Sequence, residues 1–313
     1  MTRTGFLTAP LFLAHDTGSG HPERAERLAA IHEHIAKAGL VADLDHREAP
    51  PGERCLVDAV HDPDHVSRVE QAVIAGVERL DADTAINESS WDAALTAVGG
   101  ARLAVDEIVA GRWKNAFLAA RPPGHHAERD RSMGFCLFNT AVIAARHLQS
   151  AHGLERVAIV DWDVHHGNGT QHLTEDDPTI FYASQHQYPH YPGTGAADER
   201  GHGAGEGSVL NCPMGAGSGD REYLSVFESE LLPALEAFDP EFVIVSAGFD
   251  AHLLDPLSST MVTTEGFRRM SEGIVEVATS RCAGRLFSVL EGGYDLRGLA
   301  ESVEVHLATL VTS

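Results

Sequence analysis

A chain of 313 residues with 43% hydrophobic content can bury a large core and is not composed like a disordered protein. Its formal net charge of −23 argues against a nucleic-acid backbone as partner, since that is gripped by clustered Lys and Arg, and favours a cationic one. No run approaches twenty apolar residues, Met1 to Phe6 lacks the apolar core of a signal peptide, and Cys55, Cys136, Cys212 and Cys282 form no CxxC pair; a soluble cytoplasmic protein is expected, with reduced thiols and neither a disulfide framework nor a thiolate zinc site.

In chain order, a first helix is expected to open at His21-Pro22-Glu23-Arg24, with Leu28, Ile31 and Ile35 at helical spacing and Gly39 as its stop. A second runs from about Ser90, read as its N-cap, to Gly111. Thereafter short apolar runs, Ala116 to Ala120, Val157 to Val160, Thr179 to Ala183, Ser208 to Leu210, Phe242 to Ser246 and Leu286 to Leu290, alternate with helical patterns. Those patterns include Ala141 to Ser150, Glu222 to Phe238, Glu265 to Arg281 and Leu296 to Leu310. Such alternation predicts a parallel sheet with helices on both faces. No linker or repeat divides it, so one domain over residues 1–313 is expected. Residues Gln185 to Gly219, rich in Gly, Pro and His and carrying Tyr188 and Tyr191, read as long loops near a site.

Four of the runs end in polar clusters, which in an open parallel sheet would share the rim where ligands bind. They are Arg121-Pro122-Pro123-Gly124-His125-His126, Asp161-Trp162-Asp163-Val164-His165-His166-Gly167-Asn168-Gly169, Ala247-Gly248-Phe249-Asp250-Ala251-His252 and Glu291-Gly292-Gly293-Tyr294-Asp295. In an extended backbone Asp161, Asp163 and His165 would point to one face, about 7 Å apart in succession. Asp163 and His165 offer an oxygen and a nitrogen to a divalent metal, and Asp250 is the natural third ligand unless it only caps a helix. Zinc, ferrous iron and cobalt all accept such a set. His125 and His126 suit general acid and base work, with Asp161 and Asn168 placed to orient them. Tyr294, after two glycines, could donate to a carbonyl oxygen.

With Gly134-Phe135-Cys136 and Asn139 between the first two, these motifs stand in the order found in the zinc-dependent histone deacetylase superfamily, which includes acetylpolyamine amidohydrolases and acetoin-utilisation proteins; the chain resembles it from His21 to Leu310. The resemblance implies a parallel sheet of about eight strands and a deacetylase cleaving an acetyl or short acyl group from acyl-lysine or a similar flexible cationic chain. It implies one zinc on Asp163, His165 and Asp250, and Tyr294 polarising the carbonyl. His126 would be the base and acid, and His125 its partner held by Asp161. A tunnel would be walled by Phe135 and Tyr191 with Gly134, Leu257 and Gly293. A structural potassium would sit at Asp161, Asp163, His165 and Ser184. Arg24 resembles an arginine near an internal channel, and Asp83 or Asn87 the acid at the tunnel rim.

Asn168 stands where class I members carry aspartate and resembles the class II type. Tyr191 replaces the commoner phenylalanine, and Leu257 falls where polyamine-selective relatives of one branch carry glutamate. Acetylpolyamines and small acylated metabolites stay as alternative substrates. So does a binding or regulatory protein that has lost hydrolysis. Neither membrane nor nucleic acid is expected as a partner, and self-assembly is left open. The binuclear ureohydrolases, which use the same sheet, need acidic ligands where this chain has Gly167 and Gly248.

Overall fold

The computed structural model describes residues 3–313. Its strands are β1 (Arg3–Thr8), β2 (Leu44–Glu48), β3 (Trp113–Leu118), β4 (Val157–Asp161), β5 (Ile180–Gln187), β6 (Val209–Met214), β7 (Phe242–Ala247) and β8 (Leu286–Leu290). They form one sheet in the order β2-β1-β3-β8-β7-β4-β5-β6, and every neighbouring pair is parallel. Helices α1 (Leu11–Ala14), α2 (Glu26–Lys37), α3 (Arg54–Asp58), α4 (Pro63–Ile74), α5 (Ser90–Val109), α6 (Thr140–His152) and α7 (Asn168–Thr174) precede α8 (Asp220–Val226), α9 (Leu232–Phe238), α10 (Thr264–Cys282) and α11 (Leu296–Thr312). The expected eight-stranded parallel sheet with helices on both faces is what the chain forms. No helix among the described residues is long and apolar enough to cross a membrane.

Covered faces explain the sequence pattern. Every residue of β4, β7 and β8 is buried, so these strands read as unbroken apolar runs. The edge strand β2 has the sequence Leu-Asp-His-Arg-Glu and buries only Leu44, which left no apolar run to find. Beside it, β1 carries only Phe6 and Leu7 as large apolar residues, too short a run to mark a strand.

Three boundaries differ for physical reasons. β3 begins at Trp113, three residues before the expected run, with the buried Asn115 Nδ2 donating to the Leu310 carbonyl at 2.9 Å. β5 continues past Ala183 through Gln185, His186 and Gln187, polar residues that are buried and hydrogen-bonded, as when Gln185 Nε2 donates to the Tyr223 carbonyl at 2.9 Å. The expected helix from Glu222 to Phe238 is broken by a wider turn over Phe227–Leu231, where Leu232 N bonds back to Phe227 O. Pro233 lacks an N–H and its ring crowds the carbonyl four residues earlier, so an unbroken α-helix there would be strained.

The helix expected to open at His21 starts instead at Glu26. Glu23 turns inward instead and is fully buried.

Candidate active site

The four polar clusters follow β3, β8, β7 and β4, four consecutive strands in the middle of the sheet. Parallel order places all four carboxyl ends on one rim.

The motif after β4 does not stay extended, as the alternation argument required. The strand ends at Asp161, and two side-chain turns follow: Asp161 Oδ1 accepts from Asp163 N at 3.1 Å, and Asp163 Oδ1 accepts from His165 N at 2.9 Å. Short carboxylates compete well for nearby backbone N–H groups, and here they fold the segment back on itself. The result still brings Asp163 and His165 together. His165 Nδ1 lies 3.0 Å from Asp163 Oδ1 and 3.1 Å from Asp250 Oδ2. Asp250 caps no helix; the next one, α10, is capped by Thr263. Its Oδ1 accepts from Val164 N at 2.8 Å, while Asp163 Oδ2 accepts from Gly292 N at 2.7 Å.

This trio fits a divalent ion. One ligand atom from each residue lies within 4.8 Å of the others, and all three side chains are buried. Burial and the charge of Asp163 raise the Asp250 carboxyl to about 7. Burial opposes charge on His165, yet hydrogen bonds to Asp163 and Asp250 override it and raise the imidazole to about 10. Two buried carboxyl groups thus call for positive charge between them, which a bound metal would supply with His165 entering as a neutral ligand. Gly248 and Gly292 press on these carboxylates; a Cβ at either would overlap Asp163 or Asp250. A Cβ at Gly167 would overlap Asp161 and Tyr182. The acidic ligands of a binuclear centre have no room at Gly167 or Gly248.

The histidine pair sits beside the trio, with ring centroids 4.0 Å apart. His125 Nδ1 meets Asp161 Oδ2 at 3.1 Å, and Tyr182 Oη donates to the same oxygen at 3.0 Å. Burial works against the His125 imidazolium, but Asp163 and Asp161 raise it to about 10. His126 differs. Its Nδ1 lies 2.8 Å from Asn168 Oδ1, and Asn168 Nδ2 donates to Glu128 Oε1 at 2.7 Å. That amide orientation makes Nδ1 the protonated nitrogen and leaves Nε2 as an acceptor. Burial, then the neighbouring His125 and His165, hold His126 well below the usual histidine range.

A cavity of about 230 Å³ opens onto these groups, lined by His126, His165, Phe135, Tyr191, Gly134, Leu257, Tyr294, Asp83 and His190. Phe135 enters from a tight turn closed by Cys136 N to Met133 O at 2.9 Å, with positive φ at both Gly134 and Phe135. A side chain on Gly134 would overlap the His126 ring, so this turn needs glycine there. Tyr294 faces Phe135 edge-on at 5.9 Å, and burial with Asp250 and Asp163 raises its phenol well above the usual range. The phenol therefore keeps its proton and can donate it.

Two expected positions are displaced. Gly293 does not line the cavity; its carbonyl turns inward and accepts from Arg27 Nε at 2.6 Å. Arg24 lines a separate polar cavity of about 770 Å³, and the interior arginines beneath the tunnel are Arg27 and Arg121. Of the two rim candidates, Asp83 reaches the tunnel, with Oδ1 accepting from Gly134 N at 3.1 Å. Asn87 donates instead to the Ala14 carbonyl at 2.8 Å and lines the other cavity. Ser184 pairs with Asp161 across β4 and β5, and its hydroxyl meets His186 Nδ1 at 2.9 Å.

Several supporting residues carried no assigned role in the sequence. Glu291 Oε2 accepts from Gly124 N at 2.7 Å and His125 N at 3.2 Å, fixing the turn that aims the histidine pair. Asp255 Oδ2 accepts from Tyr294 N at 2.6 Å and its Oδ1 from Leu257 N at 3.0 Å, joining two walls of the cavity. His190 stacks on His165 at 5.1 Å. An acid directly ending an apolar strand, as Glu291 does, was the one available signal.

The family described as "Histone deacetylase domain" matches residues 21–310. The chain is 42% identical over 299 residues to histone deacetylase 15 of Arabidopsis thaliana, covering 93% of this chain and 53% of that protein. It is 40% identical over 304 residues to the human polyamine deacetylase HDAC10, covering 92% of this chain and 44% of that one. The chain therefore spans about half the length of these two relatives. A crystal structure of the HDA15 HD domain superimposes with a TM-score of 0.95 at 39% identity, covering 100% of this chain and 90% of the other.

Proposed function

The chain belongs to the histone deacetylase family, and from that premise we propose that it is a zinc-dependent amidohydrolase releasing acetyl or short acyl groups from acyl-lysine or a similar flexible amine. The observation that carries this reading is the meeting, at one cavity floor, of the Asp163, His165 and Asp250 trio, an acceptor nitrogen on His126 and a protonated phenol on Tyr294.

Asp163, His165 and Asp250 would hold one zinc, whose chemistry is to polarise a carbonyl and make water acidic. His126, neutral with Nε2 free, takes a proton from the attacking water. Tyr294 donates to the carbonyl oxygen as it gains negative charge. Collapse breaks the C–N bond as the proton on His126 passes to the leaving nitrogen, giving a carboxylic acid that carries the water oxygen and a free amine. His125, kept protonated by Asp163 and Asp161, places an imidazolium beside His126 whose charge the Asp161 carboxylate balances, and it holds its partner ring in register. Asp161, Asp163, His165 and Ser184 form the proposed potassium site, supported by the β4–β5 pairing of Asp161 with Ser184. The whole chain is read as one catalytic domain, supported by a match that leaves only short ends outside it.

The tunnel selects an unbranched alkyl chain between Phe135 and Tyr191. Leu257 gives an apolar wall with no carboxylate for a second ammonium, which favours acyl-lysine, and Asp83 stands at the mouth to accept from a backbone amide. Acetylpolyamines are the second reading, supported by the name of the human relative and by the net charge of −23. Assaying acyl-lysine peptides against acetylated polyamines, with and without a chelator, tests both. Chelator-sensitive release of amine from the peptides is expected. Release from neither substrate would return the chain to the silent-binder reading.

A further inference from the structure

A second cluster of metal-binding side chains lies away from the rim. Asp106 is in the last turn of α5, and His147 and His152 are in the last two turns of α6. Both imidazoles aim the same atom at the same oxygen: Nε2 of His147 lies 2.8 Å and Nε2 of His152 lies 2.7 Å from Asp106 Oδ1. The rings stand edge to face at 5.5 Å. All three side chains are at most one quarter exposed, enough for an ion to enter and too little for the groups to wander.

The site is separate from the catalytic centre. Asn139 caps α6 on the rim side, and a helix rises about 1.5 Å per residue, so His147 and His152 lie roughly 12–20 Å further along. The chain past His152 turns back at Gly153, in the left-handed conformation, to begin β4 at its far end from the rim. Two further features favour a cation there. Both helices end at the cluster, and helix carboxyl termini carry partial negative charge. Arg102 takes the other oxygen of Asp106 at 3.3 Å, orienting the carboxylate so that Oδ1 is the atom turned to the histidines.

We propose that Asp106, His147 and His152 form a second divalent-metal site, for zinc or a neighbouring borderline ion, that staples the end of α5 to the end of α6. Two imidazoles and a carboxylate suit zinc, cobalt, nickel and copper, and do not suit magnesium or calcium, which want oxygen. One position stays free for water. Binding replaces the two N–H donors to Asp106 with the ion, and each histidine enters as the neutral base.

The test compares the full-length wild-type protein with the His147→Gln/His152→Gln variant, both saturated with zinc and freed of excess by desalting. Wild type is expected to retain one more equivalent per chain than the variant, to show extra cobalt d–d absorption when cobalt replaces zinc, and to gain more thermal stability from added zinc than the variant does. Equal zinc content would overturn the proposal. Because only the difference between the two proteins is read, the outcome does not depend on what the catalytic trio binds. Circular dichroism reports whether the double variant folds. Should it not, His152→Gln alone is measured, since losing one of three ligands should lower affinity by at least the roughly tenfold that loss of an outer-shell partner costs.

Discussion

The rim of the sheet and the layer directly beneath it are built by opposite rules. At the rim, the proposed ligands and bases come in short runs: a single residue separates Asp163 from His165, and His125 and His126 are adjacent. Beneath it, Glu23 takes Arg27 Nη1 at 3.0 Å and Arg121 Nη2 at 2.8 Å, while Arg27 Nε donates to the Gly293 carbonyl 266 residues away. Arg121 also donates to the carbonyls of Phe12 and His15 at 2.8 and 3.0 Å. Arg27 then lies 5.0 Å from the Tyr294 ring centroid. Chemistry is carried by motifs, and the geometry that aims it by single charged residues far apart in the chain.

If that division is right, removing one member of the lower layer should cost stability more than chemistry. Glu23→Gln leaves two buried guanidinium groups short of charge, and breaking such a network costs about 3–5 kcal/mol. The pH dependence has a definite sign. Burial opposes the Glu23 carboxylate, but Arg121 and Arg27 outweigh it and lower its pKa to about 2, beneath an unfolded value of about 4.3. Its stabilisation is therefore present above about pH 4.3 and is lost as pH falls towards 2. The gap in unfolding free energy between wild type and Glu23→Gln should be widest near neutrality and narrow through that acid window. A gap that is constant with pH would show that Glu23 is not held ionised by the arginines.

The converse holds at the rim. Tyr294→Phe removes one hydroxyl and is expected to cut kcat by about 10²–10³, roughly 3–4 kcal/mol of barrier, while metal content and melting temperature stay near wild type. A variant that turns over at the wild-type rate would remove Tyr294 from the chemistry. Asp255→Asn lies between the two regions, since it weakens the clamp on Tyr294 N and Leu257 N without touching substrate. Hydrogen bonds to a charged acceptor are worth about 1.5–3 kcal/mol, so a smaller loss of kcat should come with a measurable loss of stability.

The same contrast governs what could be read from sequence. β4, β7 and β8, buried on both faces, announced themselves as apolar runs, and their polar endings located the rim. The extended geometry given to Asp161 through His165 was wrong, because alternation ignores what a carboxylate does to the backbone N–H two residues on. The trio survived that error, since the turn brings together the same side chains. Glu23, Arg27 and Asp255 were illegible as support: each sits in an unremarkable helix or loop pattern, and only the fold brings up its partner. Arg24 was read for an interior role that Arg27, one helical turn later, fills.

His126 offers the finest distinction, because its orienting partner is an amide. A neutral Asn168 fixes the ring and its tautomer but does little to favour an imidazolium, and burial with His125 and His165 holds the ring well below the usual range. Asn168→Asp would place a negative charge 2.8 Å from Nδ1, where an opposite charge raises a histidine by roughly one unit or more. Since the base must be unprotonated to take a proton from water, the acid limb of kcat/KM should move to higher pH by about that amount. Glu128 complicates the single change, because its Oε1, now accepting from the Asn168 amide at 2.7 Å, would face a carboxylate instead. Like charges at that distance raise one another's pKa, which would return a proton to the pair and weaken the effect on the ring. Adding Glu128→Gln restores a donor opposite the new carboxylate and should give the full shift. An acid limb that stays in place in the double variant would mean that the group titrating in kcat/KM is not His126.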